Sequence, residues 1–166
     1  MSLPESIVQF FQPWNEYYSH SKGAETVVQF LHIGSLLLAG GFAIAMDRGT
    51  LRAVRGVIAD RPQHLRELAS VHRWVITGLV VVVISGLALL AADIETFFGS
   101  WIFWVKMVLV AGLLLNGLMM MRAETALAKD AAPTSPAWVA LRRGAIVSLT
   151  LWFIITAFGV AIVNLS

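Results

Sequence analysis

The stretch WVITGLVVVVISGLALLAA, residues 74–92, holds no charged side chain. At ~1.5 Å rise per residue, roughly 20 such residues in an α-helix cross the ~30 Å hydrocarbon core of a bilayer. Three further stretches read the same way, at about 27–46, 101–121 and 144–163. A soluble protein can bury one helix that is apolar all round, but four of them in 166 residues leave nothing to cover them. Composition agrees: 58% of the chain is hydrophobic and 13% charged, against about 25% charged in soluble domains. The sequence therefore predicts an all-α fold, an integral membrane four-helix bundle forming a single transmembrane domain over 1–166, with the lipid bilayer as its main partner.

Lys and Arg set the expected orientation, because cytoplasmic loops collect them. Arg48, Arg52, Arg55, Arg61, Arg66 and Arg73 follow the first span, and Arg122, Lys129, Arg142 and Arg143 follow the third. The segment before the first span holds only Lys22, and Asp93–Ser100 holds no basic residue. Both basic loops are expected in the cytoplasm and both termini outside, in a bacterial inner membrane. The first residues lack the basic start and apolar run of a cleavable signal peptide, so the first span is expected to direct insertion. With no cysteine, thiolate metal sites and cysteine nucleophiles are excluded. The basic pI follows from the loops and does not indicate a nucleic-acid partner.

Outside the spans, Ser2 and Glu5 are placed to start a short N-terminal interfacial amphipathic helix over about 3–18, with Ile7, Phe10, Phe11 and Trp14 at helical spacing. Trp14, Tyr17 and Tyr18 suit the headgroup region. Gly34, Ser35, Ala39, Gly40, Gly41, Ala43 and Ala45 allow close helix approach in the first span, which is expected to be the most tightly packed. The segment 47–71 reads as the longest polar loop, with Leu51, Val54, Val57 and Ile58 spaced for a short surface helix and Pro62 suited to start the next one. Residues 131–136, AAPTSP, read as a flexible loop.

Ionisable side chains inside a bilayer are costly, so each is a functional candidate. His32 lies five residues past the start of its span and Lys106 five past the start of its own, and both spans run in the same direction. Both side chains are expected about 7–8 Å below the outer edge of the hydrocarbon, with Thr156 at the same level. They define a candidate cofactor pocket in the outer half of the bundle, capped from above by His20. There His32 either ligates a metal or haem iron or hydrogen-bonds a backbone carbonyl. Lys106 either pairs with an anionic group such as a propionate or reaches the surface. His72, a second candidate metal ligand, is expected roughly 20–25 Å from His32 along the membrane normal, too far to share one haem, and it can equally be an interfacial polar residue. Asn116, deeper in the third span, is either a cofactor-binding group or glue between helices. Met107, Met119, Met120 and Met121 offer soft copper ligands, but consecutive helical residues diverge by ~100°, which favours packing. His64 is expected in solvent. No carboxylate lies inside a span; Asp47, Asp93 and Glu95 sit at span ends, which argues against a pump built on a membrane-embedded acid.

The run from His72 to Arg122 resembles the CopD-type copper-resistance membrane domain. Ser85-Gly86, Phe98-Gly99, Lys106 and Asn116 match its short motifs, and His32 followed by Gly40-Gly41 resembles its first helix. The Arg that follows the family's Asn comes only at Arg122. Small bacterial four-helix proteins share this pattern. A weaker resemblance reaches the HemJ-type protoporphyrinogen oxidases, and it implies a haem ligand at His32 and a porphyrin pocket at Lys106. That family has a His where Asn116 stands, and its polar signature near the last helix is missing here.

Three functions stay open. The CopD resemblance implies a membrane protein linked to copper or other metal handling. The second reading is a haem b protein, either an electron carrier or a HemJ-like oxidase. The third is an accessory or scaffold subunit whose small-residue faces join a homo-oligomer or partner membrane subunits. Whether the chain is an enzyme is left open by the sequence.

Overall fold

The structure is a computed structural model and describes residues 4–56, 61–129, 132 and 134–165. It contains α1 (Glu5–His20), α2 (Lys22–Val54), α3 (Arg61–Ala92), α4 (Ile94–Gly99), α5 (Trp101–Lys129) and α6 (Pro136–Leu165). Helices α2, α3, α5 and α6 are long and apolar enough to cross a membrane. Their outer faces are hydrocarbon: Phe30 is 72% exposed, Leu37 70% and Val108 72%. A water-soluble surface would not carry apolar patches of that kind, whereas acyl chains solvate them. The all-helical four-helix bundle with a short N-terminal helix agrees with the sequence reading.

Local chemistry sets the helix ends. The Ser21 hydroxyl accepts from the Ala24 amide at 3.3 Å and caps α2. Gly56, with φ +75°, ends it in the left-handed conformation that glycine adopts most readily. Asp93 caps α4 through the Thr96 amide, and α6 begins at Pro136, where a missing N–H costs nothing. The Ser2 cap and the positions of Val57 and Ile58 lie outside the described residues, as do parts of the 131–136 loop.

The expected polar loop over 47–71 is corrected in its first part, while the helix start expected at Pro62 agrees with the structure. Helix α2 runs without a break to Val54 and α3 begins at Arg61. At ~1.5 Å per residue, the 33 residues of α2 are about 50 Å long, so roughly 20 Å extends beyond the hydrocarbon core. The extension is amphipathic. Asp47, Thr50 and Ala53 are buried on one face, while Arg48 and Arg52 are exposed on the other. Leu51 and Val54, expected in a separate surface helix, pack instead against a core of Met120, Leu127, Trp138 and Leu141.

The helices pack in the order α3–α2–α6–α5. Small residues set the spacing. A Cβ on Gly78 of α3 would lie 2.8 Å from the Ala39 methyl of α2, and one on Gly40 would lie 3.2 Å from the Trp152 ring of α6. The small residues of α2 thus divide: Ala39 and Gly40 are buried, while Gly41 and Ala45 face outward. Helices α3 and α5 do not pack along their length among the described residues, and the bundle is open on that side. Across the opposite end from the arginines, α1 lies over α3. Trp14 Nε1 donates to the Ala88 carbonyl at 2.8 Å, and Asn15 Nδ2 donates to the Ala92 carbonyl at 2.5 Å. The Ala92 carbonyl ends α3, where helical carbonyls lack partners of their own.

Candidate functional site

Two polar regions occupy the bundle, and the helix order determines which residues meet in each. In the half nearer α1, His32 of α2 reaches α3. Its Nδ1 lies 3.1 Å from the Val82 carbonyl and 3.1 Å from Ser85 Oγ. The Ser85 hydroxyl spends its own proton on the Val81 carbonyl at 2.6 Å. Since a carbonyl only accepts, Nδ1 must carry the hydrogen, and in the neutral ring Nε2 is left with a free lone pair. Lys106 of α5 is within Coulombic reach of His32, and its ammonium would lie 3.6 Å from a Cβ on Gly159 of α6. Among the described residues Lys106 has no hydrogen-bond or ion-pair partner. The structure thus brings His32 and Lys106 into one region. It does not bring Thr156 there: this residue is exposed, and its hydroxyl donates to the Trp152 carbonyl of its own helix at 2.8 Å. His20 is exposed as well and bonds to Glu16 of its own helix.

The second region lies toward the arginine-rich end and was not foreseen as a site. A cavity of about 90 Å³ is enclosed by all four long helices. Asp47 of α2 forms part of its wall and is 3% exposed. Ser148 of α6 stands within interaction range of the Asp47 carboxyl, whose Oδ2 makes no hydrogen bond. An ionised carboxylate buried with an unbonded oxygen costs several kcal/mol unless a cation compensates it. Glu124 of α5 is close enough to act electrostatically on Asp47. Asp47, expected at the end of a span, lies instead within α2 and is buried in the bundle. Asp47 ends its apolar run in sequence, but the helix continues and turns it inward.

His72 of α3 lines the same cavity. Its Nδ1 is 3.5 Å from Glu124 Oε2, and both side chains are largely buried. This pair links the two helices that otherwise stay apart. Asn116, expected either to bind a cofactor or to join helices, is buried on α5, and its Nδ2 donates to the Gly144 carbonyl of α6 at 3.0 Å. Met46 of α2 and Met120 of α5 add two thioethers to the cavity wall. Met119 and Met121 point elsewhere, as the ~100° turn per residue requires. Beside the cavity, a wider cleft of about 440 Å³ opens sideways between α3 and α5, and His72 and Glu124 belong to both walls.

His64 is also corrected: it is 3% exposed, and its Nε2 lies 3.0 Å from Thr50 Oγ1. Gly49 makes room for the ring, since a Cβ there would lie 2.8 Å from His64 Cε1. Among the described residues, no three His, Asp or Glu side chains converge closely enough to hold a metal ion. His32 and His72 stand in separate regions. The inner site could have been found from spacing. Asn116, Met120 and Glu124 recur every four residues, and Asp47 and Thr50 are three apart, so each set shares a helix face.

No family model matches this sequence, and no curated protein or solved structure matches it.

Proposed function

We propose that this chain handles a soft metal cation, of the copper(I) class, inside the membrane, and that the cavity at the arginine-rich end is where the cargo sits. The supporting observation is the donor set. Two thioethers, Met46 and Met120, and one imidazole, His72, line a single cavity from three different helices. Thioether and imidazole are the ligand types that suit copper(I). The buried Asp47 supplies a compensating negative charge. The resemblance of the His72–Arg122 run to the CopD type supports the same class. By the distribution of Lys and Arg, the cavity lies on the cytoplasmic side of a bacterial inner membrane.

The test is a copper(I) titration of purified protein in mild detergent, under reducing conditions, against a chromogenic copper(I) chelator. One copper(I) per chain is expected, and Met46→Leu and His72→Gln should each weaken retention at least tenfold, the lower bound for disturbing even the shell around a metal. No retained copper, or retention unchanged in the Met46→Leu/His72→Gln double variant, overturns the reading.

A second reading, haem b at His32, is supported by the orientation of that ring. A ligating histidine usually donates its other N–H to a carbonyl or similar acceptor, and Nδ1 does so here. Lys106 would then face a propionate. A Soret band lost in His32→Ala would support it, and a featureless spectrum would remove it.

A further inference from the structure

The cleft between α3 and α5 carries an inference independent of the cargo. Its wall is apolar at Ala69, Ile76 and Met121, and polar at Arg73, Thr77 and Glu124. The glutamate is already faced by His72 at 3.5 Å. Arg73 is different. Among the described residues it makes no salt bridge, and the one described contact of its side chain is the Trp74 ring, 5.7 Å from the guanidinium carbon. The cleft thus offers an unpaired guanidinium above an apolar wall. Its volume, about 440 Å³, falls within the ~300–1,000 Å³ of sites that hold small amphiphilic ligands. It opens sideways, between two apolar helices, so what meets it in a bilayer is lipid. It also lies at the end where the exposed arginines gather, the level of the headgroups.

We infer that the α3–α5 cleft is a binding site for one anionic phospholipid, with the phosphate on Arg73 and an acyl chain against Ile76 and Met121. Basic pockets between transmembrane helices recognise anionic headgroups in this way, and the planar guanidinium forks onto phosphate oxygens. A free phosphate would use Arg73 alone and leave the apolar wall uncovered. The lipid covers both.

The experiment is native mass spectrometry of the full chain released from detergent, after incubation with phosphatidylglycerol or with phosphatidylcholine of the same acyl chains. One phosphatidylglycerol should stay bound, and phosphatidylcholine should be retained several-fold less. Arg73→Gln should lower phosphatidylglycerol retention about fivefold, the effect of roughly one unit charge near an anionic headgroup. Arg142→Gln, an exposed change on α6, should leave it unaltered. Ile76→Trp fills the cleft and should remove retention of either lipid while the helical circular dichroism stays the same. Equal retention of the two lipids, equal losses in Arg73→Gln and Arg142→Gln, full retention in Ile76→Trp, or displacement of the lipid by inorganic phosphate would each overturn the inference.

Discussion

The approach of α3 to α2 at Gly78 sets the width of the bundle on a side next to the open cleft. Replacing Gly78 by Ala puts a methyl 2.8 Å from the Ala39 methyl and 3.4 Å from the Ala39 backbone. Carbon atoms rest at about 3.5–4.0 Å, so the deficit against the methyl is roughly 1 Å. Ala39 is fully buried and cannot swing away. Overpacking of this size costs about 1–3 kcal/mol, which is roughly a 5- to 150-fold fall in the folding equilibrium at 1.4 kcal/mol per decade. Part of that is offset, because Ala favours the helical backbone over Gly by up to ~1 kcal/mol in water. The stricter test is the methyl swap. Ala39→Gly/Gly78→Ala moves the same methyl to the other side of the contact and leaves only the 3.4 Å approaches. The double variant should recover most of the loss, with a coupling of about 1–2 kcal/mol between the two sites. Equilibrium unfolding in mixed micelles of mild detergent and dodecyl sulfate measures both quantities. A Gly78→Ala variant as stable as the parent, or a double variant no better than the sum of its singles, would refute this account of how α2 and α3 meet.

Other substitutions probe separate contacts. Trp14→Phe removes the donor to the Ala88 carbonyl and should cost about 1 kcal/mol; amide exchange across residues 5–20 should quicken while the bundle stays protected, and unchanged exchange would mean α1 is not held there. Thr50→Val takes the hydroxyl from the buried His64 ring and should destabilise by about 1–3 kcal/mol, with Thr50→Ser close to neutral. Thr156→Val should change stability by less than ~0.5 kcal/mol and leave both copper(I) retention and the absorption spectrum as they were, since the hydroxyl serves only its own helix. Asp47→Asn should stabilise the metal-free protein by removing a buried charge with an unbonded oxygen, and should shrink the thermal stabilisation that copper(I) brings to the parent, about 2.7 kcal/mol at a hundredfold excess over Kd. Equal stabilisation of both proteins by the metal would detach Asp47 from the site.

The four membrane helices were legible because hydrocarbon leaves a blunt mark: about twenty mostly apolar residues, four times over, with Lys106 the one Lys, Arg, Asp or Glu inside them. The pairing of His32 with Lys106 was legible too, because two helices running the same way place equal offsets at equal depth. The inner site was hidden by the same rule that found the helices. A window that ends a span at the first charge stops at Met46 and assigns Asp47 to a loop. Yet the charges beyond it alternate with the helical period: Asp47, Thr50 and Ala53 turn inward while Arg48 and Arg52 turn out. The same holds on α3, where His64, Leu68 and His72 share the inner face and Arg66, Glu67 and Arg73 lie outside it. Burial of His64 was not readable from its neighbours, because it depends on Gly49, fifteen residues earlier, leaving room for the ring.

The opening between α3 and α5 has a physical cause in the chain itself. Where helices of this bundle touch, a small residue stands at the contact: Gly78 on Ala39, Gly40 on Trp152, Gly144 on Met120. The facing stretches of α3 and α5 offer Ile76, His72, Met121 and Glu124 instead. These side chains hold two backbones apart, and without a hydrophobic drive between helices in lipid nothing forces them together. Gly117 and Gly112 of α5 do not compensate, since a Cβ on either would meet no atom within 4 Å. The polar groups that line the gap are therefore affordable only as a set. His72 and Glu124 answer each other across it, and the carboxyl of Asp47 behind them keeps one oxygen unanswered. A bundle closed by a glycine seam on this side would have excluded those groups altogether. The sequence places bulky and charged residues there, and what that arrangement gains is a cavity with a buried carboxyl at Asp47 beside a cleft with a guanidinium at Arg73. The cavity and the cleft share a wall at His72 and Glu124, so the cation proposed for the one and the lipid proposed for the other would each change the field felt by its neighbour.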